Sequence, residues 1–394
     1  MSKKIIVVGL SAASVSFVTK LRSFDKESEI ICFSAENDFP YNRCLLADFL
    51  TNDITEEGLF LKPKEFFSNN NIQIYLNSRV TKIDFERQMV FVDQKNYSYE
   101  YLFLGVGARS VVPSFMNTLH QGVFQFHALR DIKNIQKYLN DYKPKTVTVI
   151  GAGLNGMEVA SSLQEKGLNV TIIESAENIL SSQVDQDIAQ WLLKNSLAAH
   201  GVKVITGHKV ITLCFDETVK KVIGVQLETG SIIASDMVVV TVGSIVNNEL
   251  MHNTSLNMLY GSVVVDEYLR TNITNVFAAG DVCLVQDIVT KQLTRSMTWS
   301  DAMLQGLCAA TNFGSTPRSY QGIIGLRDSY FFGKDFFACG KTTGIDGYDV
   351  IKKIDEQNIE VIYSKDNKVK GFVLIGDVSR VGILKKKYIL GEDI

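Results

Sequence analysis

Residues 146–156 read TVTVIGAGLNG, and the chain continues MEVASSLQEKGLNVTIIE to Glu174. A short apolar run ends in Gly151, Gly153 and Gly156, a helix-forming stretch follows, and a second apolar run closes on a carboxylate. Each part has a physical reason in a dinucleotide-binding strand–turn–helix unit. Gly151 permits the tight turn, Gly153 lets a pyrophosphate approach the backbone, and Gly156 lets helix and strand pack closely. The helix N-terminus attracts the anion, and Glu174 accepts hydrogen bonds from the adenosine ribose. A carboxylate there repels a 2′-phosphate, so NADH is favoured over NADPH.

The same order occurs earlier in the chain. Residues 4–8 read as a buried parallel strand, Gly9 as the turn and Ala12–Leu21 as the helix, with a second strand over Glu29–Phe33. This first fingerprint is degraded, because Ser11, Ala13 and Ser14 stand where the later glycines would be. A serine hydroxyl can still bond a phosphate oxygen. Ser34 sits at the strand end and Glu36 lies two residues later; Glu36 is the expected ribose acid. An internal repeat of this kind implies two nucleotide-binding domains, hence two nucleotides.

The 394 residues, 46% of them hydrophobic, exceed one ordinary domain. Lys plus Arg number 40 against 43 for Asp plus Glu, so no net basic field favours nucleic acid or an anionic membrane. The basic triplet Lys385 to Lys387 reads as a solvated face, with docking of an acidic protein as the alternative. No segment reaches the roughly 18 uninterrupted apolar residues of a membrane span. The N-terminal lysines and apolar run imitate a secretory signal, but the run breaks at Gly9 into turn and helix, and a cytoplasmic location is expected. Six cysteines are scattered without a CxxC pair, and five histidines show no metal-type spacing, so no metal site is expected.

Further strands are expected at Ile72–Tyr75, Val90–Val92, Tyr101–Gly105, Met237–Val242, Val263–Val265 and in NVFAAGD, 275–281. From about Thr316 the chain turns to short aromatic-rich strands, with a hairpin turning at Asp366 and Asn367. The fold class expected is α/β: two Rossmann-like three-layer dinucleotide-binding domains, one inserted in the other, plus a small α+β C-terminal domain. Residues 1–114 with 250–315 form the first nucleotide domain, 115–249 the second, and 316–394 a domain for dimerisation or carrier docking.

These stretches, with PYNRCLL at 40–46, LGVGAR at 104–109, GAGLNGMEVA at 151–160, NVFAAGD and the pattern Trp299, Ala302, Gln305, Gly306, resemble the FAD- and NAD(P)H-dependent reductases with two dinucleotide domains. The nearest branch is similar to NADH:rubredoxin reductases, the flavin module of assimilatory nitrite reductases, and the ferredoxin reductases related to apoptosis-inducing factor. The resemblance covers nearly the whole chain. It implies FAD and NADH as cofactors, with Arg43 on the flavin nucleotide and Asp281 on the ribityl chain, where Gly280 lets the backbone approach. It also implies Glu158 near the nicotinamide end. Trp299 is a candidate wall of the flavin pocket, with a packed interface tryptophan as the alternative. Ala12, Val80, Gly107, Asn155 and Gly243 complete the set expected to touch the cofactors. Three residues depart from the family pattern. Ser11 replaces a glycine, Val106 a threonine, and Asp48 the lysine that many relatives place near the flavin, where a lysine would stabilise the reduced anion and an aspartate does the reverse.

The resemblance implies that nicotinamide gives its hydride to flavin directly, the protein supplying ring placement and exclusion of water. Electrons then pass to a protein acceptor such as rubredoxin or another iron protein. A rival reading makes Cys44 a redox thiol, as in NADH peroxidases, NADH oxidases and coenzyme A disulfide reductases, because it lies at the matching distance from Gly9. The flanking YNR and LLADF resemble the cysteine-independent reductases better. A third reading is a flavin-holding sensor or interaction protein with little turnover. Monomer and homodimer are both open.

Overall fold

The structure is a computed structural model that describes residues 2–116, 120–216, 218–314 and 317–394. Residue 316, where the C-terminal domain is expected to begin, lies outside the described residues. The chain divides into two compact units. One comprises residues 1–45, 55–109 and 245–323, the other 46–54, 110–244 and 324–394.

In the first unit five parallel strands run in the order Ile72–Tyr75, Glu29–Phe33, Lys4–Val8, Tyr101–Leu104, Val276–Ala278. The central strand is apolar after Lys4 because both of its faces are covered. The helix Ala12–Phe24 lies against the sheet, with Phe17 stacked on Phe103 at a 4.1 Å centroid distance. It outruns the expected end at Leu21. Arg22, buried near the helix end, donates to the carbonyls of Asp25, Ser28 and Asn71 and so ties the last turn to the strands that follow.

The second unit repeats the plan: Lys203–Ile205, Asn169–Ile173, Thr146–Ile150, Met237–Val240, Val123–Gln125, all parallel. The repeat goes further than the glycine loops. Before the fourth strand of each series the chain makes a three-stranded antiparallel meander, Val80–Asp84 to Lys95–Ser98 in one unit and Val210–Asp216 to Ile232–Ala234 in the other. These are the mixed α/β layers of two Rossmann-like folds.

The second unit also holds a five-stranded antiparallel sheet, ordered Arg327–Phe331, Lys334–Gly340, Lys368–Ile375, Ile359–Lys365, Asp349–Ile354, with the helix Val381–Leu390 beside it. Asp366 and Asn367, both at positive φ, make the tight turn of its central hairpin. This sheet is fastened to the nucleotide fold of the same unit. Trp191 Nε1 donates to the Asp355 carbonyl at 2.8 Å, Tyr363 donates to Asp185 at 2.9 Å, and Lys352 pairs with Asp187 at 2.5 Å. Among the described residues no helix is long and apolar enough to cross a membrane, and no group of three His, Cys, Asp or Glu side chains is placed to hold a metal ion.

Candidate dinucleotide-binding sites

In the second unit the strand Thr146–Ile150 ends at Gly151, whose φ of +102° favours glycine. A Cβ on Gly156 would stand 2.0 Å from the Gly151 carbonyl oxygen, so the helix Leu154–Glu165 reaches its strand only because residue 156 has no side chain. Gly153 is different. It caps the helix at φ −76°, an ordinary conformation, and a Cβ there would meet nothing within 4 Å. Neither backbone nor neighbour requires glycine at 153, so the space kept open at this helix N-terminus suits an anionic ligand. Asn155 is exposed in the first turn.

Glu174 follows the strand Asn169–Ile173 and is oriented by the loop itself. Its Oε2 accepts from the Ala152 amide at 2.7 Å, and its Oε1 from the Ala176 amide at 2.8 Å. The carboxylate therefore stands beside the glycine loop. Gly243, at φ +107°, has open space where a Cβ would be and accepts through its carbonyl from the Val111 amide.

The first unit solves the same problem with fewer glycines. Gly9 sits at φ +87° and a Cβ there would lie 2.3 Å from the Gly105 oxygen. Ser11 is the N-cap at φ −127°, ψ −154°, extended backbone that any side chain adopts, so replacing glycine at this place costs no strain. Ala12 and Ala13 open the helix. Against Ala13 lies the helix Trp299–Thr311, where a Cβ on Gly306 would stand 2.0 Å from the Ala13 oxygen. Gln305 of that helix accepts from the Gly280 amide at 2.8 Å through its Oε1, which fixes the turn before Asp281. Trp299 is half-buried at the helix start, behind the cap formed by Thr298 and Asp301.

Glu36 and Arg43 meet as an ion pair, and Tyr41 joins them. Its hydroxyl donates to Glu36 Oε2 at 2.7 Å and accepts from Arg43 Nη1 at 2.9 Å. Sequence reasoning missed Tyr41, whose signal was its place in PYNR. Ser34, at the strand end, is the positional counterpart of Glu174: Gly9 N bonds Phe33 O as Gly151 N bonds Ile173 O. Burial pushes the Asp281 carboxyl up to about 6, while the Arg43 charge pulls it the other way. For Arg43 burial works against the charge, but Tyr41, Glu36 and Asp281 outweigh it and raise the guanidinium further. A fixed cation and a carboxyl with high proton affinity flank this loop, a donor set that fits the phosphates and hydroxyls of a nucleotide.

Val80 starts the strand Val80–Asp84, and its side chain is buried in the core. Gly107 is at φ +62°, its carbonyl accepting from the Asn247 amide, and the Asn247 side chain donates to the Val106 carbonyl at 2.8 Å. Cys44 is exposed on the short turn Arg43–Leu45, its amide donating to Asn42 Oδ1 at 3.0 Å. Asp48 lies on the helix Leu46–Thr51, which packs against the helix Leu154–Glu165 carrying Glu158. The structure thus gathers Gly9, Ser11, Ala12, Ala13, Glu36, Arg43 and Asp281 in one unit. It gathers Gly151, Gly153, Asn155, Gly156, Glu158, Glu174, Gly243 and Asp48 in the other.

Two Rossmann-like folds, each with a glycine turn at a helix N-terminus and an acid nearby, define a two-nucleotide oxidoreductase. The model of the pyridine nucleotide-disulphide oxidoreductase family matches residues 3–306, and the chain belongs to that family. It is 32% identical to a rubredoxin–NAD(+) reductase of Pseudomonas putida, over 82% of this chain and 84% of that protein. A nitrite reductase [NAD(P)H] of Bacillus subtilis is 27% identical, over 96% of this chain and 46% of the longer relative. In fold, a ferredoxin reductase from Rhodopseudomonas palustris is similar with a TM-score of 0.91 at 23% identity, covering all of this chain and 96% of that one. The protein is an oxidoreductase that uses FAD and NADH.

Proposed function

We propose that the chain takes electrons from NADH through FAD to a small iron protein of the rubredoxin or ferredoxin type. The observation that carries this reading is its 32% identity, over most of both chains, to a rubredoxin–NAD(+) reductase. When bound, the two cofactors supply the electron transfer, and the chain's own residues bind, orient and exclude water.

In this reading residues 1–114 and 250–315 hold FAD, 115–249 hold NADH, and 316–394 serve carrier docking or dimer formation. Gly9, Ser11, Ala12 and Ala13 receive the flavin pyrophosphate, with the Arg43 charge beside it. Glu36 takes the ribose, Asp281 the ribityl hydroxyls, and Val80, Gly107 and Trp299 line the remainder. Gly151, Gly153, Asn155 and Gly156 receive the NADH pyrophosphate and Glu174 its adenosine ribose, while Glu158 and Gly243 stand toward the nicotinamide. A cytoplasmic location belongs to the same reading.

The test is an anaerobic titration of FAD-loaded protein with NADH, followed by oxidised rubredoxin. Bleaching of the flavin absorbance by NADH and its recovery on adding rubredoxin are expected. Bleaching with recovery only on admitting oxygen overturns the iron-protein acceptor. A second reading, in which Cys44 is a redox thiol, is favoured by its exposure next to Arg43.

A further inference from the structure

The helix Leu154–Glu165 meets two elements of its own unit near its middle, and both bring carboxylates. Glu158 lies just over one turn after Gly153, half-buried, and its Oε1 accepts a 2.6 Å hydrogen bond from Ser329 on the strand Arg327–Phe331 of the C-terminal sheet. Ser161, three residues on, accepts a 2.8 Å bond from the Phe332 amide. Residues three apart share a helix face, so the end of this strand is held along one face by two hydrogen bonds.

Carboxylates outnumber cations around Glu158. The helix Leu46–Thr51 brings Asp48, with Asp53 beyond it. The strand brings Asp328, Arg327 and Tyr330, all exposed. On its own helix stands Glu165, and past the helix end Lys166, whose Nζ is bonded to the Thr51 carbonyl at 2.7 Å. The strands Thr146–Ile150 and Asn169–Ile173, against which the helix packs, carry no ionisable side chain. Among the described residues no cation pairs with Glu158. Burial first, then Asp328 and Asp48, push its carboxyl up to about 7, and only the Ser329 hydrogen bond acts the other way.

We propose that Glu158 is a proton-operated latch: its neutral carboxyl holds the strand Arg327–Phe331 on the helix that opens the second glycine loop, and ionisation loosens that contact. A neutral carboxyl accepts from Ser329 and needs no counter-charge. An ionised one places charge in the seam with a single hydroxyl donor and two carboxylates nearby, and that cost falls when the strand lifts and water enters. The sign follows from proton affinity, which is higher in the closed seam than in an open one, where the ordinary value of 4.5 applies. Closure is therefore strongest below about pH 4.5. It weakens by about tenfold per pH unit up to about 7 and then levels off. The latch sits on the element whose N-terminus forms the second glycine loop, and it stands whatever the electron acceptor is.

Hydrogen exchange of the segment 325–334, followed by mass spectrometry in full-length protein and in Glu158→Gln between pH 5 and 8, tests this. Protection in the wild type, divided by that in Glu158→Gln, is expected to fall about tenfold per pH unit from 5 to 7 and to stay level above. A ratio that is constant across the range overturns the latch. Should the glutamine variant fail to fold, Ser329→Ala replaces it. Loss of the donor that favours the ionised form is expected to move the wild-type decline to higher pH, and an unmoved midpoint overturns the proposal.

Discussion

The hydroxyl of Ser14 fills the space that a side chain on Gly105 would need: a Cβ at residue 105 would lie 2.2 Å from Ser14 Oγ. In the second unit the same two places are occupied in reverse, by Gly156 and Thr241. Gly105 N bonds Val8 O as Thr241 N bonds Ile150 O, which fixes the correspondence. A Cβ on Gly156 would stand 2.9 Å from Thr241 Oγ1. Each fold places one glycine and one hydroxyl residue where the loop helix meets the end of the neighbouring strand, and the order is exchanged. The glycine missing from the first fingerprint at 14 is thus matched by one gained at 105.

Gly105→Ala is accordingly expected to destabilise the protein by about 2 kcal/mol, the range of overpacking a tight core. Adding Ser14→Gly to that variant is expected to restore more than half of the loss. Urea unfolding of the two single variants and the double variant measures the coupling. Additive losses would show that the two positions do not share one space.

Gly153→Ala separates ligand space from packing. The new methyl meets no protein atom within 4 Å beyond its own chain neighbours and the φ of −76° suits alanine, so the melting temperature is expected to stay the same or rise slightly. In the proposed reading the methyl takes the room of the NADH pyrophosphate, so the KM for NADH is expected to rise at least tenfold. Gly156→Ala, with the Gly151 carbonyl 2.0 Å away, is expected to lose stability instead. Equal losses of stability in both variants would assign Gly153 a packing role.

Features that depend on local pattern were legible in the sequence. The strand Thr146–Ile150, its glycines and Glu174 form one contiguous signal, and both parallel sheets follow from its repetition. The meander strands were mostly not. Lys95–Ser98, KNYS, is largely exposed and has no alternating apolar face, so periodicity has nothing to detect. Partnerships across the chain were also hidden. Ser329 is 171 residues from Glu158, and nothing in either neighbourhood announces the other. The compensation of Ser14 by Gly105 shows the limit well, because the fingerprint is read along one segment while the space is shared by two.

Asp281 gives a pH-dependent prediction. Its carboxyl is raised from 3.8 to about 6 by burial, against the pull of Arg43, so the folded protein binds this proton more tightly than the unfolded chain. Its ionisation therefore costs nothing below about pH 3.8, destabilises progressively as pH rises to about 6, and costs a constant amount above. Asp281→Asn is expected to be more stable than wild type at pH 8 by roughly 1 kcal/mol, after allowing for its partial exposure. The gain is expected to vanish near pH 4, while FAD binding weakens at every pH. Thermal melts of flavin-free protein at pH 4, 6 and 8 measure the first effect, and a gain independent of pH would mean that the Asp281 charge is not its source.

Cys44 tests which route electrons take out of the flavin. A thiol that carries electrons needs a stabilised thiolate, and the neighbouring cation is Arg43. That guanidinium is already committed to Glu36, whose charge pairs with it, and to the Tyr41 hydroxyl, which helps fix it in place. The pairing argues for a guanidinium that serves the nucleotide site more than the sulfur. Cys44→Ser is therefore expected to keep its NADH:rubredoxin turnover within about twofold, with alkylation of the wild-type protein equally mild in effect. The measurement is steady-state turnover with rubredoxin, and separately with peroxide and a disulfide, in both forms of the protein. A loss of tenfold or more with any acceptor, restored by returning cysteine to 44, would place sulfur on the electron path and make the exposed turn Arg43–Leu45 the site of the second half-reaction.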